Sequence, residues 1–315
     1  MKVLVTGAGG FVGEYLIRLL KQHEHDVVAI GINNGKFLHD MQVTSHVVNI
    51  MDSQVLQEVM YTEKPDAVFH LAAISNVPVS WENPELTVDI NVRGTINVLQ
   101  ALYKANPNAK FINIGSSDEY GLTAKQGIPL TEDMPCQPQN PYSISKYSAE
   151  QLILQLGKKY SMNVISTRSF NHYGPGQARG FVISDFAYQI AMIEQKRQVP
   201  VLRVGNLEVA RDFTFVLDIV SAYVAMMEKD VPSGIYNVCS GVARMIKDVL
   251  LDLINTSKVG IDVVIDEDRF RPSEVPYFIG SSNKLCNIVG WKPNYDFYQG
   301  LEETVHYYKK ICGKE

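Results

Sequence analysis

Long apolar runs are missing from this chain. No stretch approaches the roughly 20 residues that a membrane helix requires, and the opening MKVLVTG has neither the basic start nor the cleavage site of a signal peptide. A cytoplasmic protein with no membrane partner is expected. Cysteine is scarce: Cys136, Cys239, Cys286 and Cys312 show no CxxC spacing and no paired histidines nearby, so neither a disulfide framework nor a zinc site is indicated, and no metal is expected. Basic charge is in deficit. With 29 Lys and Arg against 34 Asp and Glu, the net charge of -5 disfavours a general nucleic-acid binder, whose phosphate contacts need a broad basic surface. A few arginines converging locally could still hold a small anion.

What the chain does contain is an ordinary globular composition, 46% hydrophobic and 20% charged over 315 residues, enough for two unequal lobes in one unit. KVLVTG is a β-branched run ending in Gly, FVGEYLIRLLKQ has apolar residues at helical spacing, and HDVVAIGI is a second buried-strand pattern. The alternation continues through HVVNI, a helical SQVLQEVMYTEKP, DAVFHLAA, a helical ELTVDINVRGTINVLQALYKA, KFINIGSS and NVISTRSF. That pattern predicts an α/β fold of Rossmann type, a doubly wound parallel sheet with helices on both faces. Beyond about Arg168, clusters of Gly and Pro break the alternation. The expected division is a dinucleotide-binding domain over 1–167, rejoined by segments near 212–238, and a smaller C-terminal substrate-binding lobe within 168–315.

Between the first strand and helix lies TGAGGFVG, with Gly7, Gly10 and Gly13 spaced as GxxGxxG. A turn there must be tight, must let a pyrophosphate approach the backbone, and must let the helix pack closely on the strand, with phosphates at the helix N-terminus. Glycine meets all three needs, and a glycine triplet placed between strand and helix outweighs an ordinary turn. An Asp or Glu at the end of the second strand would bind the ribose 2′-hydroxyl and repel a 2′-phosphate. The sequence instead reads Gly31-Ile32-Asn33-Asn34-Gly35-Lys36. Asn33, Asn34 and Lys36 could receive the phosphate, which favours NADP(H); the arginine that usually joins them is also absent, so NAD(H) stays open.

NPYSISK places Tyr142 and Lys146 four apart, after a capping Asn140 and a first-turn Pro141, hence on one helix face. Among 16 tyrosines about one would meet a Lys at that spacing by chance, so position decides. The serines of IGSSDEYG end a strand of the parallel sheet, where ligands of such sheets bind. A phenol with a reference pKa of about 10 needs a nearby cation and the cofactor's own charge to work near neutrality, and Lys146 is expected to help lower it while also bonding the cofactor ribose.

TGxxGxxG, the strand-end serine and YxxxK together resemble the extended short-chain dehydrogenase/reductases over essentially the whole chain. The resemblance implies Ser116, Tyr142 and Lys146 as the catalytic set, Ser116 lying four residues before the Tyr of Tyr120-Gly121. It implies cofactor contacts at Gly7, Gly10, Phe11, Val12, Asn33, Asn49, Ile50, Leu71, Ala72 and Ala73 as well as Tyr142 and Lys146, with Asp52 near the adenine and Asn91 as a structural asparagine. FNHYGPGQ, VGNLEVARDF and RPSEVP are similar to the branch that handles GDP-activated 6-deoxyhexoses, implying substrate contacts at Ser117, Asp118, Asn171, Arg179, Val204, Asn206, Arg211, Arg271 and Glu274. Read alone, each arginine is equally a surface ion-pair partner and each asparagine a turn-former.

In the dehydratases of that branch the residue two past the catalytic hydroxyl is Glu; here it is Asp118, shorter by one methylene, about 1.5 Å. The long insert that the dehydratases carry after the second strand is also absent, while Glu119 is expected to be structural or solvent-facing. The resemblance therefore implies NADP(H)-dependent reduction of the 4-keto group of a GDP-4-keto-6-deoxyhexose, giving a GDP-6-deoxyhexose such as GDP-rhamnose. A GDP-mannose 4,6-dehydratase, a nucleotide-sugar 4-epimerase and a non-catalytic dinucleotide-sensing scaffold are the rival readings. A homodimer built on helices from about Glu85 to Tyr103 and Pro141 to Leu156 is implied by resemblance too.

Overall fold

The computed structural model describes residues 1–33, 36–270 and 275–313, without the side chains of Lys36 and Arg269. The first half alternates as β1 (Lys2–Thr6), α1 (Phe11–Gln22), β2 (Asp26–Gly31), α2 (Lys36–Asp40), β3 (Thr44–Val47), α3 (Ser53–Glu63) and β4 (Ala67–His70). It continues with α4 (Val77–Glu82), α5 (Pro84–Val88), α6 (Thr95–Ala105), β5 (Lys110–Ser116), α7 (Pro141–Tyr160) and β6 (Val164–Ser169). The second half contributes β7 (Asn171–Tyr173), α8 (Val182–Glu194), β8 (Val201–Val204), β9 (Ala210–Phe215), α9 (Val216–Glu228) and β10 (Gly234–Val238). Last come β11 (Ala243–Met245), α10 (Ile246–Asn255), β12 (Asp262–Ile265), β13 (Tyr277–Phe278), α11 (Asn283–Val289) and α12 (Phe297–Cys312).

Seven strands form one parallel sheet in the order β10-β6-β5-β4-β1-β2-β3. The order reverses at β1, so a crevice opens between the C-terminal ends of β1 and β4, the place where such sheets take ligands. Val3, Val5, Ala29 and Phe69 join α1 and α9 in one core, while Leu4, Val28, Val68 and Phe111 join α3 and α6 in another. Covering both faces explains why these strands read as unbroken apolar runs. The doubly wound α/β architecture is the one that alternation predicts. β3 ends at Val47 rather than running to Ile50: Val48 still donates its amide to Gly31 at 3.0 Å, and the chain then turns at Asn49, whose carbonyl takes the Asp52 amide at 2.9 Å, into α3.

A single helix from Glu85 to Tyr103 is not what forms. α5 and α6 are joined by a turn of π-helix at Asp89–Gly94, the wider turn that often marks a functional position. Its Asn91 accepts the Ile74 amide at 2.8 Å and donates to the Ile74 carbonyl and to Ser145 Oγ, both at 2.9 Å. One side chain thus ties the segment after β4 to α7. Around β9, strands β11, β13 and β7 make a small mixed sheet, and α8, α10 and α12 share a separate core that includes Val204, Phe213 and Leu301.

Candidate active site

Gly7 adopts φ +67, a left-handed conformation, and a Cβ there would stand 2.7 Å from the Ala72 amide nitrogen. At Gly13 a Cβ would fall 2.4 Å from the Ala8 carbonyl oxygen, so α1 lies directly on the loop that feeds it. Gly10 caps α1 without any side chain bonded to the helix end, leaving the first-turn amides available to an anion. The residues present therefore fit a dinucleotide pyrophosphate. Phe11 and Val12 open the helix, and the Phe11 ring stacks on His172 of β7 at 6.2 Å and 17°.

On the neighbouring strand His70 is fully buried and links both sides of the crevice. Thr95 gives its hydroxyl proton to the Asn91 carbonyl at 2.6 Å, so it must accept from His70 Nε2 at 2.9 Å. His70 Nδ1 then accepts from Thr6 Oγ1 at 2.8 Å, and Thr6 Oγ1 receives the Ala72 amide at 3.3 Å. Burial drives the His70 pKa down to about 3, with the Lys146 charge adding to the effect. These bonds hold Leu71 and Ala72 against Gly7. Asn49 bonds its own turn through the Met51 amide at 3.0 Å, Ile50 is buried beneath Gly94, and Asp52 caps α3 by accepting from Val55. Asn33 is exposed just past β2, and neither Ile32 nor Asn33 is acidic; Asn34 and the Lys36 side chain lie outside the described residues.

Ser116 ends β5, and Tyr142 and Lys146 ride on the first two turns of α7. Asn140 accepts the Ser143 amide at 2.8 Å and Pro141 fills the first helical position, the start that NPYSISK predicts. The Tyr142 amide donates to Ser80 Oγ at 3.2 Å, and its phenol lies close enough to the Ser116 hydroxyl for that group to hold its pKa down in part. Lys146 Nζ donates to the Ile114 carbonyl at 2.7 Å. Burial lowers the Lys146 pKa to about 8, against the opposing charge of Glu119.

The Tyr142 phenol is shifted upward. Burial raises its pKa, the Asp118 carboxylate raises it further, and the Ser116 hydroxyl only partly offsets them. The result is a neutral phenol, the form that can donate a proton. Glu119 is not solvent-facing: it is wholly buried, and its Oε1 accepts the Ser116 amide at 2.8 Å in a reciprocal capping box. Behind it, Arg168 donates to Glu150 at 2.6 and 3.2 Å, lies 3.6 Å from Glu119 Oε2, and spreads over the Tyr120 ring at 4.7 Å. Burial and the Glu150 charge hold the Glu119 carboxyl well above the usual range despite Arg168. Sequence reading missed this acid–acid–arginine group; its one visible sign is that Glu150 stands four residues beyond Lys146.

Ser117 is buried beside Ser116, and Asp118 lies near enough to Tyr142 to act on its titration. Asn171 begins β7, half-buried and paired with Phe213. Arg179 is exposed and covers the Tyr188 ring at 4.0 Å. Asn206 accepts the Glu208 amide at 2.9 Å, and Arg211 donates to the carbonyls of Ala210 and Val275, both at 2.9 Å. Val204 is 1% exposed in the core shared by α8, α10 and α12, and its carbonyl takes the Asp266 amide. Arg271 and Glu274 lie outside the described residues.

A family model described as GDP-mannose 4,6 dehydratase matches residues 4–304. The chain is 35% identical to the GDP-6-deoxy-D-mannose reductase of Pseudomonas aeruginosa over 300 residues, spanning 95% of this chain and 94% of that one. It is 30% identical to GDP-mannose 4,6 dehydratase 1 of Arabidopsis thaliana over 316 residues, 93% of this chain and 86% of the other. The solved structure of RMD from Pseudomonas aeruginosa complexed with NADPH superposes with a TM-score of 0.88 at 34% identity, covering 98% and 99% of the two chains. With a glycine loop shaped for a dinucleotide, a Ser at the end of β5 and a Tyr and Lys on the first turns of α7, the chain belongs to the GDP-mannose 4,6-dehydratase family of extended short-chain dehydrogenase/reductases.

Proposed function

We propose that this protein reduces the 4-keto group of a GDP-4-keto-6-deoxyhexose at the expense of NADPH, forming a GDP-6-deoxyhexose such as GDP-rhamnose. The observation that carries this reading is the placement of Tyr142 and Lys146 on the first turns of α7 beside Ser116 at the C-terminal end of β5, with Lys146 Nζ on the Ile114 carbonyl at 2.7 Å. Gly7, Gly10, Phe11, Val12 and the Leu71–Ala73 segment would hold NADPH, which supplies the hydride when bound. Tyr142 then gives its proton to the alkoxide developing on the former carbonyl oxygen. Ser116 orients that oxygen by hydrogen bonding. Lys146 returns positive charge toward the deprotonating tyrosine and bonds the cofactor ribose. Asp118 positions a sugar hydroxyl, and Asn171, Arg179, Asn206 and Arg211, together with Arg271 and Glu274, receive the nucleotide diphosphate and sugar. We assign the cofactor to residues 1–167 with the 212–238 stretch, and the nucleotide sugar mainly to the rest of 168–315.

A dehydratase is the second reading, because the Asp118 carboxylate is near enough to raise the phenol's pKa. Purified protein incubated with GDP-4-keto-6-deoxymannose and NADPH separates the two. A reductase oxidises NADPH in step with product, whereas conversion of GDP-mannose to the 4-keto sugar without net NADPH loss would overturn the reductase assignment. Interconversion of 4-epimers without cofactor consumption would instead identify an epimerase.

Among the described residues no helix is long and apolar enough to cross a membrane, and NADPH and GDP-sugars are supplied in the cytoplasm, where we place the protein. A homodimer through α5 and α7 is part of this reading. Leu86 and Val88 on the first, and Ile144 and Leu152 on the second, are each more than 40% exposed. Ile144 and Leu152 lie two turns apart on the face of α7 away from Tyr142 and Lys146.

A further inference from the structure

We propose that His23, His25 and Glu228 form a site for a divalent transition-metal ion of the zinc class, one that clips the end of α1 to the end of α9. His23 Nδ1 and His25 Nε2 lie 2.8 and 3.0 Å from the same Glu228 Oε1, and the three ligand atoms all fall within 4.8 Å of one another. Around a tetrahedral zinc ion, with bonds of about 2.0–2.1 Å, such donors stand about 3.3 Å apart. The two histidine–glutamate distances need open by only a fraction of an ångström, and the two ring nitrogens already lie within 4.8 Å of each other. Two imidazoles and one carboxylate suit zinc, copper or nickel rather than magnesium or calcium, which prefer all-oxygen shells. Three protein ligands leave the fourth position to water.

The backbone sets these donors in advance. Glu24, between the histidines, takes φ 59, a left-handed position more often given to Gly or Asn. Its amide bonds the Lys21 carbonyl at 3.1 Å, and the His25 amide bonds the Leu20 carbonyl at 3.0 Å. These two bonds close a Schellman turn, which carries both rings to one side; they stack 6.4 Å apart at 27°. Glu228, the last residue of α9, meets them from an element some 200 residues away. The cluster sits at the N-terminal edge of the sheet, one length of α1, roughly 18 Å, from the glycine loop. It is separate from the residues assigned to reduction.

Metal-free full-length protein is titrated with Zn2+ alone against a competing chromophoric chelator. One ion per chain is expected, with a rise in Tm because the folded state binds it. His25→Ala and Glu228→Gln should each weaken uptake by about tenfold or more while leaving NADPH-dependent turnover measured without zinc unchanged. Cu2+ in the same site should show two nitrogen donors by EPR, and one in His23→Ala. Equal Zn2+ uptake by the wild type and the His23→Ala/His25→Ala double variant, or no uptake by either, overturns the proposal.

Discussion

A phenol is useful to a ketone reductase in its protonated form, and Tyr142 is kept in that form by burial and by Asp118. Replacing Tyr142 with Phe keeps the ring and removes the proton, so kcat should fall by about 10²–10⁴-fold with little change in NADPH affinity measured by fluorescence titration. Retained turnover would remove this residue from the mechanism. His70 makes a different prediction. Its pKa of about 3 in the folded chain lies below the unfolded value of about 6.5. As pH falls below 6.5 the unfolded chain takes a proton that the folded chain refuses. His70 stability is complete above that point and is lost toward pH 3, at about 1.4 kcal/mol per pH unit. Urea unfolding at pH 7 and pH 5 should show this slope, and His70→Gln should flatten it. Ser116 came from the resemblance, while the pairing of Tyr142 with Lys146 on one helix face was legible because their spacing is local. The direction of the Tyr142 shift was not, because burial depends on every element packed around the ring.

At the scale of elements, α7 carries the chemistry. Tyr142, Lys146 and Glu150 follow one another at four-residue intervals, so one helix face presents a phenol, an ammonium and a carboxylate to β5 and β6. Arg168 at the end of β6 fastens the last of these and faces Glu119 behind Ser116. Arg168→Met would leave two carboxyls buried without their cation, a change expected to cost about 3–5 kcal/mol in urea unfolding. Converting Glu150 to Met in the same chain should recover part of that loss. Helical periodicity revealed the shared face of α7, but not the arginine 18 residues beyond Glu150 that completes it. Nor did it reveal the π-turn at Asp89–Gly94: apolar spacing reads straight through that segment, and only Asn91's partners across the fold explain the wider turn.

For the whole molecule, the exposed apolar stripe of α7 argues for a second copy of the chain. Ile144→Asp combined with Leu152→Asp should convert a dimer to a monomer in light scattering while leaving the far-ultraviolet circular dichroism unchanged. A wild-type monomer at working concentration would remove the dimer. The parallel sheet and its covering helices were determined by the sequence itself, since apolar runs alternating with helical periods admit few other arrangements. The glycine loop was equally local, set by a strand, a tight turn and a helix in succession. Tertiary structure alone decided which distant groups meet: Arg168 with Glu119 and Glu150, and Glu228 with the two histidines after α1. Periodicity encodes which face of an element is buried, whereas the identity of a partner depends on how separate elements dock, and no short stretch of chain records that.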